Sequence, residues 1–551
     1  NMPVSVARGR MDAAAALADH PMAGTWLATS AKVMGYVINA SFGEDGSPQS
    51  NPHYMGLLTD AAVSTARLLR DRGAVRDEKA AFPHFHKAAR FLVDMVTPRD
   101  VRLGIRLVPP VGDGYWEHHR NALTVAPVFR QSDPELAAHL LWAARAGGIQ
   151  DAAVDGIEPR MPGLESVVYP GWGAFLRHGF GTEAESYVGI RFGDFTLDHT
   201  HNDAGSINWY ARGVPLAMDF ATMYTPHTPG AWLHSTLTYD HQEHAAPVKC
   251  PGREHPGCFY TGRSWHPHEF EPHSVLEPIP DRAGTRFTEV HGRITSFASQ
   301  PAADYVRGEA NRRWFERKPY FWRHEGSPSP WGQFSEWDKT ELKHPFPWVR
   351  QFAFVKDSRP DGPSYLVIAD DLPGNRELAP AFNFWCLARE VKEVSPRHVR
   401  FTGQHGLDCE MIALAPATGR IQFGEWGHRQ NFLVGDPGME ENQKLARIHG
   451  PRGGQGFLAV LYPRKPDEPE PRVESLADGR LVKLSLPDQT HWVLLSREPA
   501  DVSDGPVRLS GTAALAKRWQ DGRVNVTLLA PGRAECGPVS LESRTPATRE
   551  Q

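Results

Sequence analysis

The hydrophobic pattern of the chain changes once, from helical to extended, near residue 150. Before that point, apolar residues recur three to four positions apart in MDAAAALADH, GLLTDAAVSTARLLRDRG and DPELAAHLLWAARAGG, which predicts amphipathic helices. Beyond it, Gly, Pro and Asp separate the short runs ESYVGIRFG, RQFAFVKD, SYLVIADDL and HWVLLSRE, which indicates antiparallel strands. Helices followed by strands are typical of separate α and β layers or domains.

Helix ends and a linker set the predicted domain boundaries. Asp133 and Pro134 have the residue types of an N-cap and a first helical turn, and Gly73 and Gly147 those of helix ends. Residues 150–166 lack periodicity and are rich in Gly, Pro and Asp, as expected of a linker. We predict an α+β multidomain chain, with a helical domain over 1–155, an antiparallel β-sandwich over 166–425 and a C-terminal β domain over 426–551.

Composition and charge exclude several classes of partner. The chain carries 60 Lys and Arg against 65 Asp and Glu, a formal charge of −5, so no overall basic field attracts nucleic acid or an anionic membrane. No stretch approaches the roughly 20 apolar residues that span a bilayer. The five cysteines form no CxxC pair, which leaves the redox compartment open. We expect a soluble protein with neither a nucleic-acid nor a membrane partner.

The segment LDHTHNDAGSINWYARGVPLAMDF places polar side chains where a buried sheet would favour valine or leucine. On a strand, His199, His201 and Asp203 would point to one face. Asp219 and His234 could complete a shell of nitrogen and oxygen ligands that zinc accepts. The chain has 26 histidines, so hydrogen-bonded polar residues of a β-sandwich are the alternative to a metal site.

That segment and its surroundings resemble the heparinase II/III-like polysaccharide lyases. The similarity covers GAFLRHGFGTEAESYVGIRFGDFTLDHTHNDAGSINWYARGVPLAMDFATMY and then HSTLTYD, with the family's HxHxD, a later aspartate and a histidine before a strand. It continues upstream in FGEDGSPQSNPHYMGLLTDAAVSTARLLRDRG, which looks like the segment whose tyrosine opens a helix, and includes PPVGDGYW and RQFAFVKD. The resemblance implies an incomplete (α/α) toroid followed by antiparallel β-sandwich domains.

The resemblance also implies cleavage of a uronic-acid polysaccharide by β-elimination. A proton leaves C-5, beside the carboxylate, and the bond to O-4 breaks to give an unsaturated uronate end. The site must therefore stabilise the charge that develops on the carboxylate and must supply a base and an acid. The expected partner is an acidic polysaccharide or oligosaccharide, and a homo-oligomer is left open. A periplasmic or secreted location is favoured, while a cytoplasmic one stays open.

The family pattern assigns three catalytic candidates. Tyr54 is the expected proton-transfer residue, because a phenol of ordinary pKa near 10 can protonate the leaving oxygen and, once deprotonated, accept a proton. His199 is the second, since the first histidine of HxH faces the cleft in the family and the second binds metal. The family neutralises the carboxylate with an asparagine several helical turns before the tyrosine. At that distance this chain has Asn1, which implies that it begins partway through the toroid or that the role has moved.

The other candidates bind substrate or metal. The expected substrate-binding residues are His53, Tyr115, His118 and Tyr224. The predicted ligands of a structural divalent metal, Zn²⁺ before others, are His201, Asp219 and His234. The ion is expected to shape the site rather than to activate water, because elimination needs no hydrolytic nucleophile.

Two other functions are compatible with the same residues. A uronate C-5 epimerase abstracts the same proton but returns it instead of expelling the leaving group. A non-catalytic carbohydrate-binding protein would keep the fold and lose the chemistry. The sequence does not choose the polymer, although the lack of a basic excess disfavours the most heavily sulfated ones.

Overall fold

The computed structural model divides the chain into two compact units. It describes residues 2–48, 51–71, 73, 75–112, 114–193, 203–219, 234–240, 292–312, 346–376, 379–429 and 440–551. A helical unit ends at Leu164, and a β unit begins at Glu165. Within the described residues, no helix is long and apolar enough to cross a membrane. The predicted domain boundary at 425/426 stays a prediction.

The described part of the helical unit consists of helices and the segments that connect them. The helices are α1 (Met2–Ala16), α2 (Ala23–Ala40), α3 (Pro52–Asp71), α4 (Glu78–Ala81), α5 (Pro83–Asp94), α6 (Arg120–Phe129) and α7 (Pro134–Ala146). The predicted cap of α7 is confirmed, because the Asp133 side chain accepts a hydrogen bond from Leu136 N at 3.1 Å. Gly147 follows the last turn of that helix, as predicted.

Aromatic side chains fill the core of the helical unit. Phe85 of α5 is fully buried, stacks on Phe42 and tilts against Phe129 of α6. α6 packs on both α3 and α7. The helix α3, which carries the tyrosine of the family pattern, is therefore held by its buried face against α6.

The strands of the β unit form three sheets, and every described strand pair is antiparallel. The first sheet follows chain order: β1 (Val167–Tyr169), β2 (Gly173–His178), β3 (Ser186–Arg191), β4 (Ser206–Ala211) and β5 (Val214–Ala217). The second is built from β6 (Leu237–Asp240), β7 (Gly292–Ser299), β8 (Ala303–Arg312), β9 (Phe346–Val355), β10 (Tyr365–Asp371), β11 (Ala379–Ser395), β12 (His398–Gly403), β13 (Asp408–Ala415), β14 (Arg420–Arg429), β15 (Glu440–His449) and β16 (Gly456–Arg464). Its order is β14-β15-β11-β12-β13-β16-β10-β9-β8-β7, with β6 beside β11.

The third sheet closes the chain. Its strands are β17 (Arg472–Leu476), β18 (Leu481–Ser485), β19 (Gln489–Asp504), β20 (Val507–Trp519), β21 (Val524–Leu528), β22 (Gly532–Cys536), β23 (Val539–Ser543) and β24 (Ala547–Glu550). The main path runs β17-β18-β19-β20-β21-β24, and β22 joins β20 to β23. The four runs that predicted strands fall on β3, β9, β10 and β19, so those predictions are confirmed.

Two apolar cores make the second sheet the middle layer of the β unit. One core joins it to the first sheet and includes Trp209 of β4 and Phe352 of β9. The other joins it to the third sheet and includes Val367 of β10 and Val493 of β19. Because successive side chains of a strand point to opposite faces, one middle sheet serves both cores. Helices followed by antiparallel β-sandwiches are thus confirmed as the fold class.

His119 is an unusual group in the core of the helical unit, at the start of α6. The side chain has no exposed surface, and within the described part of the chain neither ring nitrogen has a hydrogen-bond partner. Burial lowers its pKa from 6.5 to about 3. Below pH 6.5, His119 binds a proton in the unfolded chain but not in the folded chain. The folded state therefore loses stability as the pH falls from 6.5 toward about 3.

We therefore predict that His119→Leu makes the helical unit less sensitive to acid. A leucine of similar volume cannot titrate, whereas His119 removes up to about 1.4 kcal/mol of stability for each pH unit below its ordinary pKa. The measurement is the thermal midpoint of the helical circular dichroism signal at about pH 7 and about pH 5. His20→Leu, at an exposed position of the same unit, is the control. An equal loss in the parent and in His119→Leu would contradict the prediction.

Candidate functional site

Tyr54 lies in the first turn of α3. The residues just before it determine where this helix begins. Asn51 Oδ1 accepts a hydrogen bond from Tyr54 N at 2.9 Å, so Asn51 is the N-cap of the helix. Pro52 follows, and a proline has no N–H group to leave unsatisfied at a helix start. The pair Asn51-Pro52 therefore places His53 and Tyr54, both half-buried, on the opening turn.

The side chains of His53, Tyr54, Tyr115 and Glu117 form one group, the His53 cluster. His53 Nδ1 lies 2.5 Å from Glu117 Oε1. The His53 ring meets the rings of Tyr54 and Tyr115 edge-on, with centroids 5.1 and 5.2 Å apart. The side chains of His53 and Glu117 keep 26% and 18% of their surface exposed, so the pair can meet a ligand. The structure thus brings together three predicted site residues.

Glu117 was not among the predicted site residues, although its position two residues after Tyr115 could have indicated it. It stands two positions after Tyr115, and Trp116 between them is fully buried beneath the Arg102 guanidinium, 4.4 Å from the ring centroid. In an extended segment the neighbours of a buried side chain point the other way. Glu117 O also accepts a hydrogen bond from Val108 N at 3.2 Å, which holds the segment in place.

His118 has a clear structural contact in the helical unit. Its Nδ1 lies 2.6 Å from Gly147 O, at the end of α7. A Cβ added at Gly148, whose φ is +91°, would lie 2.5 Å from the same nitrogen. His118 therefore holds the chain where α7 ends, and its role in substrate binding stays a prediction.

Several predicted site residues lie outside the described residues, and their roles stay predictions. They are Asn1, His199, His201 and Tyr224. In the β unit the described candidates are Asp203, Asp219 and His234. All three are buried, with 1%, 5% and 1% of their surface exposed.

Asp219 and His234 form a buried pair between the ends of two strands. Asp219 follows β5 and His234 precedes β6. His234 Nδ1 lies 2.8 Å from Asp219 Oδ1, and Asp219 N donates to Asn208 Oδ1 at 2.9 Å. A carboxylate and an imidazole already side by side fit the donor set that zinc prefers. Within the described residues, which exclude His201, no group of three His, Cys, Asp or Glu side chains could hold a metal.

Asp203 stands at the start of the turn that precedes β4, while the predicted alternation of His199, His201 and Asp203 falls mostly outside the described residues and stays a prediction. β4 begins only at Ser206, whose N–H donates to Asp203 O at 2.8 Å across a turn. Gly205 in that turn has φ +77°, a left-handed conformation that favours glycine.

Comparison with known proteins places the fold. Heparinase III aligns with 98% of this chain and 67% of its own, with a TM-score of 0.57 and 13% identity. Heparan sulfate lyase HepC from Pedobacter heparinus aligns with 89% of this chain and 65% of its own, with a TM-score of 0.58 and 12% identity. The chain thus has the heparinase III fold, a helical toroid followed by β-sandwich, as predicted, and spans about two thirds of these structures. No protein-family model and no curated protein sequence matches it.

The turn before β4 yields a test of packing. A Cβ at Gly205 would lie 2.7 Å from Trp348 Cη2 and 3.0 Å from Arg350 Cδ. Gly406 has nearly the same φ, +79°, but an added Cβ there meets no atom within 4 Å. An alanine would therefore strain the backbone at both positions, but only at Gly205 would its Cβ also crowd neighbouring side chains.

We predict that Gly205→Ala destabilises the β unit far more than Gly406→Ala. Strain alone should cost about 1 kcal/mol at Gly406. At Gly205 the tryptophan ring must also move, which brings the expected loss to about 3 kcal/mol. Denaturant unfolding of the two variants measures the difference, and equal losses would show that the turn yields without disturbing Trp348.

Proposed function

We propose that this protein is a polysaccharide lyase that cleaves a uronic-acid polymer by β-elimination. The observation that carries the proposal is the His53 cluster, which gathers two phenols, an imidazole and a carboxylate at the start of one helix. Fold alone does not determine activity, because one fold hosts many functions. The heparinase III fold supports the choice of a polysaccharide lyase, and the cluster supplies groups that the chemistry needs.

β-Elimination moves two protons. A base takes the proton from C-5, its electron pair forms the double bond between C-4 and C-5, and the bond to O-4 breaks as O-4 receives a proton. Tyr54, half-buried in the cluster, is suited to protonate O-4. His199 is proposed as the partner base or as a donor to the carboxylate, and Asn1 as the carboxylate-neutralising group.

Glu117 is proposed to fix the orientation of His53. A carboxylate beside Nδ1 holds a histidine in one tautomer and one ring position. The other nitrogen, Nε2, is then directed away from Glu117 and can bind a sugar hydroxyl. His53 and Tyr115 would in this way position the sugar whose O-4 faces Tyr54.

A zinc ion held by His201, Asp219 and His234 belongs to the same proposal. When bound, zinc would supply positive charge and a rigid coordination geometry to this part of the β unit. The 2.8 Å between His234 Nδ1 and Asp219 Oδ1 supports the assignment, because it places a nitrogen and an oxygen donor close enough to bind one ion. We also propose that the protein is periplasmic or secreted, where it would meet such a polymer.

The experiment that tests the function is ultraviolet absorbance of the conjugated product. The purified protein is mixed with alginate, heparan, chondroitin and glucuronan-type polymers. Rising absorbance supports the lyase, proton exchange at C-5 without absorbance identifies an epimerase, and binding alone identifies a carbohydrate-binding protein.

We predict that Tyr54→Phe lowers turnover about 100-fold or more while substrate affinity is largely kept. The change removes only the hydroxyl, so the packing of the ring against His53 is preserved and the loss reports proton transfer. The rate of absorbance increase on the identified polymer is the measurement. Tyr36→Phe is the control, because Tyr36 is 75% exposed on α2.

His199→Ala should be similarly damaging, and the double variant should lose less than the product of the two single effects, because the residues act together. Turnover by Tyr54→Phe at close to the parent rate would show that the active site lies elsewhere.

We predict that the purified protein holds about one zinc ion, and that Asp219→Asn and His234→Ala each reduce it. Because a bound structural metal contributes free energy to folding, chelation should lower the melting temperature of the parent. Elemental analysis and melting with and without chelator are the measurements. A negligible metal content with unchanged melting would remove zinc from the proposal.

A further inference from the structure

Arg350 is a charged residue in the middle of β9 with no exposed surface. Its Nε and Nη2 donate to the two carboxylate oxygens of Asp370, each at 2.7 Å. Asp370 is the register partner of Arg350 on β10, and Trp348 Nε1 donates to the same carboxylate at 2.7 Å. The guanidinium is therefore fixed in one plane by a bidentate partner.

The third nitrogen of that guanidinium joins two segments that are distant in sequence. Nη1 donates to Gly205 O at 2.8 Å and to Ser235 O at 3.2 Å. Gly205 belongs to the turn that contains Asp203, and Ser235 follows His234 directly. One side chain thus links the end of the HxHxD segment to the segment of the downstream histidine.

Other hydrogen bonds connect the same two segments to each other and to the sheet. Thr236 Oγ1 donates to Ala204 O. Trp385 N of β11 donates to Ser235 Oγ at 3.0 Å, and Asn383 N donates to Thr236 O at 3.0 Å. The carbonyl groups that Arg350 binds are therefore part of a connected frame.

Stability alone does not account for a charge in this place. Replacing a buried ion pair by apolar side chains is often neutral or stabilising, since the pair loses the hydration of both charges. Among side chains, only arginine offers a planar fork for a carboxylate and further donors for carbonyl groups. An apolar pair at these positions could not bind the carbonyl groups of two separate segments, whereas the guanidinium binds both.

We propose that the Arg350–Asp370 pair is a clamp that sets the relative position of residues 203–205 and 234–236. Arg350 is a positioning residue, because it acts through main-chain carbonyl groups rather than through the side chains that would bind metal. In fixing Ser235 and Gly205, the clamp would hold His234 and the end of the HxHxD segment at the spacing that zinc requires. This second part rests on the zinc site of the proposed function.

The double variant Arg350→Met, Asp370→Asn tests the clamp without leaving a buried charge. The asparagine keeps an acceptor for Trp348, so the variant should fold. A matched control is Arg177→Met, Glu185→Gln, which removes another buried ion pair of the same unit, joined at 2.8 Å with both side chains 1% exposed. Arg350→Lys, which keeps the charge but loses the fork, is the second variant.

The first readout is main-chain hydrogen exchange of the metal-free protein. Both Arg350 variants should exchange at least about tenfold faster than the parent in residues 203–206 and 234–238, because these segments open locally, while β16 stays protected. The control pair should leave both segments at the parent rate. Parent rates in both segments of the folded double variant, or of Arg350→Lys if the double variant does not fold, would overturn the clamp.

The second readout is the zinc dissociation constant, measured by competition with a chromophoric chelator. Loss of a group that orients metal ligands should raise it about ten- to hundredfold. Faster exchange with an unchanged constant would overturn the role of the clamp in metal binding. A parent that binds no zinc would overturn the zinc site itself, and the exchange data would still decide whether the clamp exists.

Discussion

The guanidinium of Arg350 lies where no water reaches it, among the rings of Trp348, Phe352 and Phe382, whose centroids are 5.3, 5.9 and 5.2 Å from Cζ. A charge in such a place is very costly unless it is paired and hydrogen-bonded. The fold must therefore put Asp370 opposite Arg350, and a shift of one residue between β9 and β10 would send their side chains to opposite faces. The Arg350–Asp370 pair is thus compatible with one register of β9 and β10, and the same guanidinium binds a carbonyl group in each of two loops.

A similar dependence links chemistry to packing in the helical unit. Trp116, fully buried, fixes the inward side of an extended segment, and Glu117 consequently points toward His53. The cap at Asn51 fixes the other side of the contact, because it decides which residues occupy the first turn of α3. The His53 cluster therefore results from a buried ring and a helix start, each of which has its own structural reason.

Patterns within one helix or strand predicted the features that depend only on residues close in sequence. The cap at Asp133, the helix α3 and the strands β9 and β10 follow from residues within one element, and the structure confirms them. Contacts between distant residues were not predictable in the same way. His53 and Glu117 are 64 positions apart, and Arg350 and Gly205 are 145 apart, so their pairing depends on the completed topology. A charge inside an apolar strand signals that a partner exists, but not which residue it is.

The charge of the His53 cluster limits its part in the proposed elimination. The Glu117 carboxylate of the cluster repels an anionic carboxylate placed beside it. His53 is then suited to a hydroxyl or to the leaving oxygen, and less to the uronate carboxylate. A hydrogen-bond donor outside the cluster must hold that carboxylate. A neutral amide is sufficient, because the negative charge that grows during proton removal needs aligned donors more than a counter-ion. In the proposed mechanism, the cluster around Tyr54 and the group that neutralises the carboxylate are therefore separate parts of the site.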